Sequence, residues 1–238
     1  MPAKGPDLII SKKSRAKRLV RWLIIDFIVA AAVFGLLKYR PGRYNPLSPD
    51  FDNYEPGQVS LYLTHKLLPQ FNEGLQRRKP FELVVAQDGV NDIISHANWP
   101  IQSEGILLYS PAALFTDGLV VLMGTADVKG VEFIITIEIG PEIDEKGLLH
   151  LKVIKVKVGA MNITPLAKMI AKKMYTERLA AFDVDEKAIQ TRIAASLLND
   201  EPFEPVLEVD GKKVKVENIA VNQGQLNVRF VPYSKHGL

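Results

Sequence analysis

Four histidines, His65, His96, His150 and His236, are the obvious metal-ligating and acid–base side chains, yet none stands at ligand spacing from another. The chain has no cysteine, which excludes disulfides, thiolate nucleophiles and Cys-ligated zinc or iron–sulfur centres. There is no GxSxG elbow, no HExxH, no Walker loop and no dinucleotide fingerprint. Glu142, Asp144 and Glu145 offer the oxygen ligands that Ca²⁺ prefers, but without the alternating spacing of an EF-hand loop they read as solvated turn acids. An enzyme would need Asp88 or Asp92 brought beside His96 and a further acid. No catalytic residue, metal site or cofactor is expected from these patterns.

Binding chemistry is better represented. Lys168, Lys172, Lys173 and Arg178 lie on one predicted helix and suit anionic headgroups, an acidic partner or simple solvation. Leu166, Met169, Ile170 and Met174 form an apolar stripe on the same helix. Asn162-Ile163-Thr164 matches a glycosylation sequon, although Pro165 follows it directly.

The net charge of +3 conceals an asymmetry. Residues 1–43 carry ten Lys and Arg against Asp7 and Asp26, a local net of +8, so the remainder is −5. The basic character belongs to the N-terminal segment, and no nucleic-acid partner is expected. From Leu19 to Leu37 the chain reads LVRWLIIDFIVAAAVFGLL. As a helix this run is roughly 28 Å long, close to the hydrocarbon thickness of a bilayer.

Arg21 can snorkel from the near end, whereas Asp26 costs up to about 2.5–3.5 kcal/mol in the membrane. Twelve Leu, Ile, Val and Phe residues oppose it with roughly −4 to −7 kcal/mol. Trp22 and Tyr39 stand where interfacial aromatics anchor a span. The excess of bases before the run predicts a cytoplasmic N-terminus and an extracytoplasmic C-terminal portion in the cell membrane. A cleaved signal peptide is the rival reading, but Ala30-Ala31-Ala32 falls inside the apolar core rather than after it. The expected organisation is a basic tail (1–18), a transmembrane anchor (19–37), a Pro-rich linker (38–58) and an α+β domain (59–238).

Within that domain, Leu63, Leu67, Phe71 and Leu75 predict an amphipathic helix interrupted near Pro69. FELVVA (81–86) predicts a strand, and Asp88 the cap of a short helix that ends at Asn98-Trp99-Pro100. Asp117-Gly118, Lys129-Gly130 and Glu145-Lys146-Gly147 divide residues 105–159 into an antiparallel meander. Apolar residues occupy odd positions through Leu151 and Val153, then even ones from Ile154 on, which predicts a β-bulge there and a strongly curved sheet. Helices follow, one capped by Thr164 with Pro165 at its first position and one opening near Asp183 or Asp185 and ending near Asn199-Asp200; three strands close the chain.

The stretch QDGVNDIISHANWP, with Asp88, Asn91, Ile94 and Trp99, precedes a rhythm of strand, Asp-Gly, strand, Gly, strand, acidic turn, strand, Gly, Pro and helix. Over roughly 59–182 this order resembles the YpmS-like membrane-anchored proteins and, more distantly, the tubular lipid-binding domains of the BPI-like type. The resemblance implies a long curved sheet wrapped against helices, with an apolar groove for acyl chains, and brings no catalytic residue. Leu119, Val121, Phe133, Ile135, Ile137, Leu151 and Val153 would line that groove with Leu166, Met169, Ile170 and Met174. The functional expectation is a non-enzymatic, single-pass anchored protein that contacts membrane lipids through its anchor and binds lipid or another apolar ligand. The alternative is a bitopic scaffold that joins an envelope protein partner.

Overall fold

The computed structural model describes residues 11–46, 59–103, 105–181 and 188–233. It is a mixed α+β chain with an apolar N-terminal helix and two antiparallel sheets. Helix α1 (Ser11–Leu37) contains Val20–Leu37, 18 residues of mean hydropathy 2.2 with none of the span buried. It is the one helix among the described residues long and apolar enough to cross a membrane, a property that anchors and signal sequences share.

A wide π-turn, Leu63–Leu67, runs into α2 (Leu68–Arg77), with the Leu68 N–H donating to Leu63 O. This irregularity stands where Pro69 lacks an N–H and crowds the carbonyl of the preceding turn. Strand β1 (Phe81–Ala86) and α3 (Gln87–Ser95) follow. Asp88 sits within the first turn of α3 and does not cap it; Ala86 holds the cap position without a side-chain bond.

The predicted meander is present. Strands β2 (Ile101–Ser103), β3 (Ile106–Thr116), β4 (Leu119–Val128), β5 (Val131–Ile143), β6 (Leu149–Val158) and β7 (Met161–Asn162) form a six-stranded sheet in sequence order. Helices α4 (Thr164–Ala181) and α5 (Ile189–Asn199) come next; Asp183 and Asp185 lie outside the described residues. Strands β8 (Val206–Val209), β9 (Lys212–Asn222) and β10 (Gln225–Pro232) then join β1 in a second sheet of order β1-β10-β9-β8.

The bulge occurs where the apolar phase slips: Glu138 pairs with Lys155 but Ile139 with Val153, leaving Ile154 as the extra residue. The strong curvature expected from it is absent, for neither sheet is strongly curled. A single bulge on β6 bends one strand locally. Other segments pack on parts of the six-stranded sheet, Tyr44 among them. Strand β9 packs against β3, β4 and β5, and the two hairpin tips are joined by Gly118 N–H to Val221 O and Gly224 N–H to Phe115 O.

One core lies between α2 and the four-stranded sheet, where Phe71, Leu75, Leu83, Val85, Val214, Val216 and Phe230 are buried together. The rings of Phe71, Phe81 and Phe230 have centroids 5.2–5.9 Å apart. The smaller core of the larger sheet contains Tyr44, Ala112, Met123 and Ile134. Where the short β2 and β7 leave β3 and β6 uncovered, other elements hydrogen-bond them. Asn91 accepts from Ala113 N–H (2.7 Å) and donates to Ala113 O (2.9 Å), and Gln87 accepts from Phe115 N–H. On the β6 side, Ser196 Oγ accepts from Leu151 N–H, Thr164 Oγ1 accepts from Val156 N–H, and Phe203 bridges Leu149. These contacts occupy backbone groups that an edge strand otherwise offers to another chain.

Candidate functional site

Register decides which groove residues meet. Val121 pairs with Glu138 and Leu122 with Ile137, so odd positions of β4 share a face with even positions of β5. Leu119 and Val121 therefore lie on one face of the sheet. Phe133, Ile135 and Ile137 lie on the other, together with Leu151 and Val153, which pair with Pro141 and Ile139. The expected single groove is split, because residue parity within each strand says nothing of how neighbouring strands are aligned. The helical stripe joins neither set. Leu166, Met169, Ile170 and Met174 are all exposed, and α4 turns the half-buried Ala167, Ala171 and Tyr175 inward.

The face holding Leu119 and Val121 is covered by the residues that follow α1. Tyr44 is only 5% exposed; its hydroxyl donates to Ser110 O (2.6 Å) and pairs with Thr125 Oγ1 (2.8 Å). Ser110 and Pro111 form a second bulge, opposite Gly124, and Ser110 has φ +52°, an unfavourable conformation for a non-glycine residue. Its carbonyl is the one that receives Tyr44. Burial raises the Tyr44 pKa, and the Arg40 guanidinium lies 5.2 Å from its ring centroid.

The last turn of α1 is docked as well. Ala160 N–H donates to Leu36 O (2.8 Å), supplying a partner for one of the carbonyls a helix terminus leaves free. Gly159 has φ +57°, and a Cβ there would fall 2.3 Å from both Leu36 O and Leu37 O. Only glycine permits this approach.

Between this arm and the sheet lies an open cleft of about 710 Å³, a size that suits a small-molecule site. Tyr39, Pro41 and Arg43 form one wall; Leu119, Val121 and Met123 form the apolar floor. Thr136, Glu138 and Lys157 supply the polar side. Lys157 is paired with Glu138 at 2.7 Å. Thr136 is 6% exposed, and its Oγ1 is buried without a hydrogen-bond partner, an arrangement that leaves bonding capacity at the cavity wall. A smaller pocket of about 310 Å³, lined by Ile94, Trp99, Leu122, Ile135 and Ile137 among others, opens on the opposite face. Of the residues expected in one groove, two thus line each cavity.

Comparison with known protein families, curated proteins and solved structures finds no match.

The candidates for catalysis sit in local structural arrangements. Asp92 and His96 stand one helical turn apart with 3.6 Å between Oδ1 and Nδ1, but the third group is Ser60, whose buried Oγ donates to Asp92 Oδ2 (2.5 Å) and accepts from Leu63 N–H. That pattern fastens the start of the first domain helix to α3. On the imidazole, Nδ1 also meets the Asp92 carbonyl at 2.6 Å and the Ser95 hydroxyl at 3.3 Å, contacts within the last turn of α3. His65 Nδ1 pairs with the adjacent Thr64 Oγ1, and His236 lies outside the described residues.

In the acidic hairpin, Asp144 accepts from Lys146 and Leu148 N–H groups and contacts His150 Nε2 at 3.1 Å. The Leu148 amide bond, followed by His150, lowers its pKa. Glu142 is held below the ordinary carboxylate range by its hydrogen bond to Lys152. Among the described residues no three His, Cys, Asp or Glu side chains are grouped to hold a metal. Asn162 Oδ1 accepts from Thr164 N–H, so the sequon asparagine serves the turn before α4, while Thr164 serves strand β6. The Arg178 side chain lies outside the described residues.

Sequence periodicity missed Tyr44, Ser110, Gly159 and Thr136. The only local signal among them was Gly159 in the break after β6.

Proposed function

We propose that the chain is a single-pass membrane protein with its N-terminus in the cytoplasm, and that its extracytoplasmic α+β domain binds a lipid or similar apolar ligand without catalysis. The single observation that carries this reading is the 710 Å³ cavity built between the sheet and the residues directly following the apolar helix. An acyl chain would lie along Leu119, Val121 and Met123, with its polar end toward Thr136, Lys157 and Arg43. Burying about eight methylenes releases roughly 6 kcal/mol before the cost of association. The support is this cavity and its position beside the anchor; the resemblance to YpmS-like and BPI-like proteins agrees with it but adds no residue.

A photoactivatable fatty-acid analogue added to the full chain in detergent micelles tests the reading. Adducts on residues 119–123 and 136, lost in Val121→Trp, are expected. Adducts confined to 20–37, equal in both proteins, would show ordinary contact with the anchor alone.

A second reading, a bitopic scaffold of a cell-envelope complex, draws on the exposed apolar side chains of α4. The backbone groups of β3 and β6 at Ala113, Phe115, Leu149, Leu151 and Val156 are engaged as described and offer it nothing. Reproducible cross-links from α4 to another protein would favour it.

A further inference from the structure

Helix α4 displays its apolar residues outward. Leu166, Met169, Ile170 and Met174 are 50%, 65%, 47% and 49% exposed, and they recur at the spacing of one helical face. Burial against the domain is the usual fate of such a stripe, yet Ala167, Ala171 and Tyr175 of α4 take that role here. By helical spacing Lys172 and Lys173 lie beside or within that stripe, whereas Lys168 turns to the opposite side and pairs with Asp200 at 3.5 Å.

Its position is equally specific. The hydrogen bond from Ala160 to Leu36 fixes the β6–β7 turn to the last turn of the apolar helix. Thr164, the first residue of α4, is four residues further on, so at most roughly 14 Å of extended chain separates the two. The headgroup layer on each side of a bilayer is roughly 5–8 Å thick. The stripe is thus tethered at the point where the anchor leaves the hydrocarbon.

We propose that α4 lies on the outer surface of the same bilayer, with Leu166, Met169, Ile170 and Met174 at the acyl–headgroup boundary and Lys172 against anionic phosphates. The bilayer is favoured over a protein partner by the tether to the anchor and by the sign of the helix's charge. This docking rests on the membrane-anchor reading, and it would hold the cavity mouth against its source of lipid.

The absence of native cysteine makes single-site labelling clean. An environment-sensitive fluorophore on Met169→Cys and, separately, on Phe27→Cys is placed in the full chain reconstituted into phosphatidylcholine nanodiscs with and without phosphatidylglycerol. Both positions are exposed in the fold, so labels there leave its core intact. The expected result is a blue-shifted Met169 label quenched by shallow spin-labelled lipid in anionic discs. Removing the lysine beside the stripe, as in Lys172→Gln, should lower that interfacial partition about fivefold.

A Phe27 label quenched by deep lipid beside a Met169 label quenched only by aqueous iodide would overturn the docking and leave the anchor reading intact. A Phe27 label open to iodide would overturn the anchor reading itself. Shielding of Met169 that persists in detergent and disappears on dilution would assign the stripe to a second copy and also overturn the proposal.

Discussion

Replacing Gly159 with valine should release the domain from the end of helix α1 while leaving the domain folded. The new side chain meets two obstacles. A β-branched residue at φ +57° is disfavoured by about 1–2 kcal/mol. Its Cβ would also lie 2.3 Å from the Leu36 and Leu37 carbonyl oxygens, so the helix end must withdraw. Withdrawal breaks the Ala160–Leu36 hydrogen bond, a further contribution of about 0.5–1.5 kcal/mol. Together these amount to about 1.5–3.5 kcal/mol, or roughly 10- to 400-fold in the docked equilibrium. Spin labels on Phe34→Cys and Ile154→Cys, both exposed side chains, report the separation of helix and sheet by pulsed dipolar spectroscopy. A narrow distance distribution is expected in the parent and a broad, longer one in G159V, with circular dichroism unchanged. An equally narrow distribution in both would refute the docking of α1 on the β6–β7 turn.

Tyr44→Phe removes the partner of Ser110 O and Thr125 Oγ1 and should lower stability by about 1–3 kcal/mol in thermal unfolding; an unchanged midpoint would mean the arm is not held there. Phe230→Ala empties the centre of the three-ring cluster and should cost about 3–5 kcal/mol, whereas a loss below about 1 kcal/mol would deny that these rings form a core. Because the folded pKa of Asp144 is depressed, its stabilising contribution is present above the ordinary aspartate pKa and is lost as pH falls through the folded value. Carboxyl NMR should place the Asp144 midpoint below the ordinary aspartate range, and Asp144→Asn should flatten that part of the acid unfolding curve. A midpoint within the ordinary range would contradict the turn geometry.

Local patterns carried the fold further than the site. Asp117-Gly118 and Lys129-Gly130 marked the hairpin turns because glycine tolerates the positive φ found at Gly118 and Gly130. The Ile154 bulge was legible because a bulge inverts side-chain parity within one strand. The pairing of β1 with β10 joins Phe81 to Phe230, 149 residues apart, and nothing in either strand's own pattern encodes that contact. The groove was misassembled for the same reason: Val121 and Ile137 are both apolar and odd-numbered, but the alignment of β4 with β5 turns them to opposite faces. The helical stripe at Leu166–Met174 was correctly seen as apolar. Its expected burial did not follow, since amphipathicity gives a face and not the surface that meets it.

Native mass spectrometry of the full chain released from detergent measures the central claim most directly, because it weighs whatever the cavity retains. The account predicts a one-to-one adduct of lipid mass on the parent protein and its loss in Val121→Trp, whose side chain fills the floor of the cavity. A folded parent that carries no such adduct, or a Val121→Trp protein that carries the same one, would contradict it.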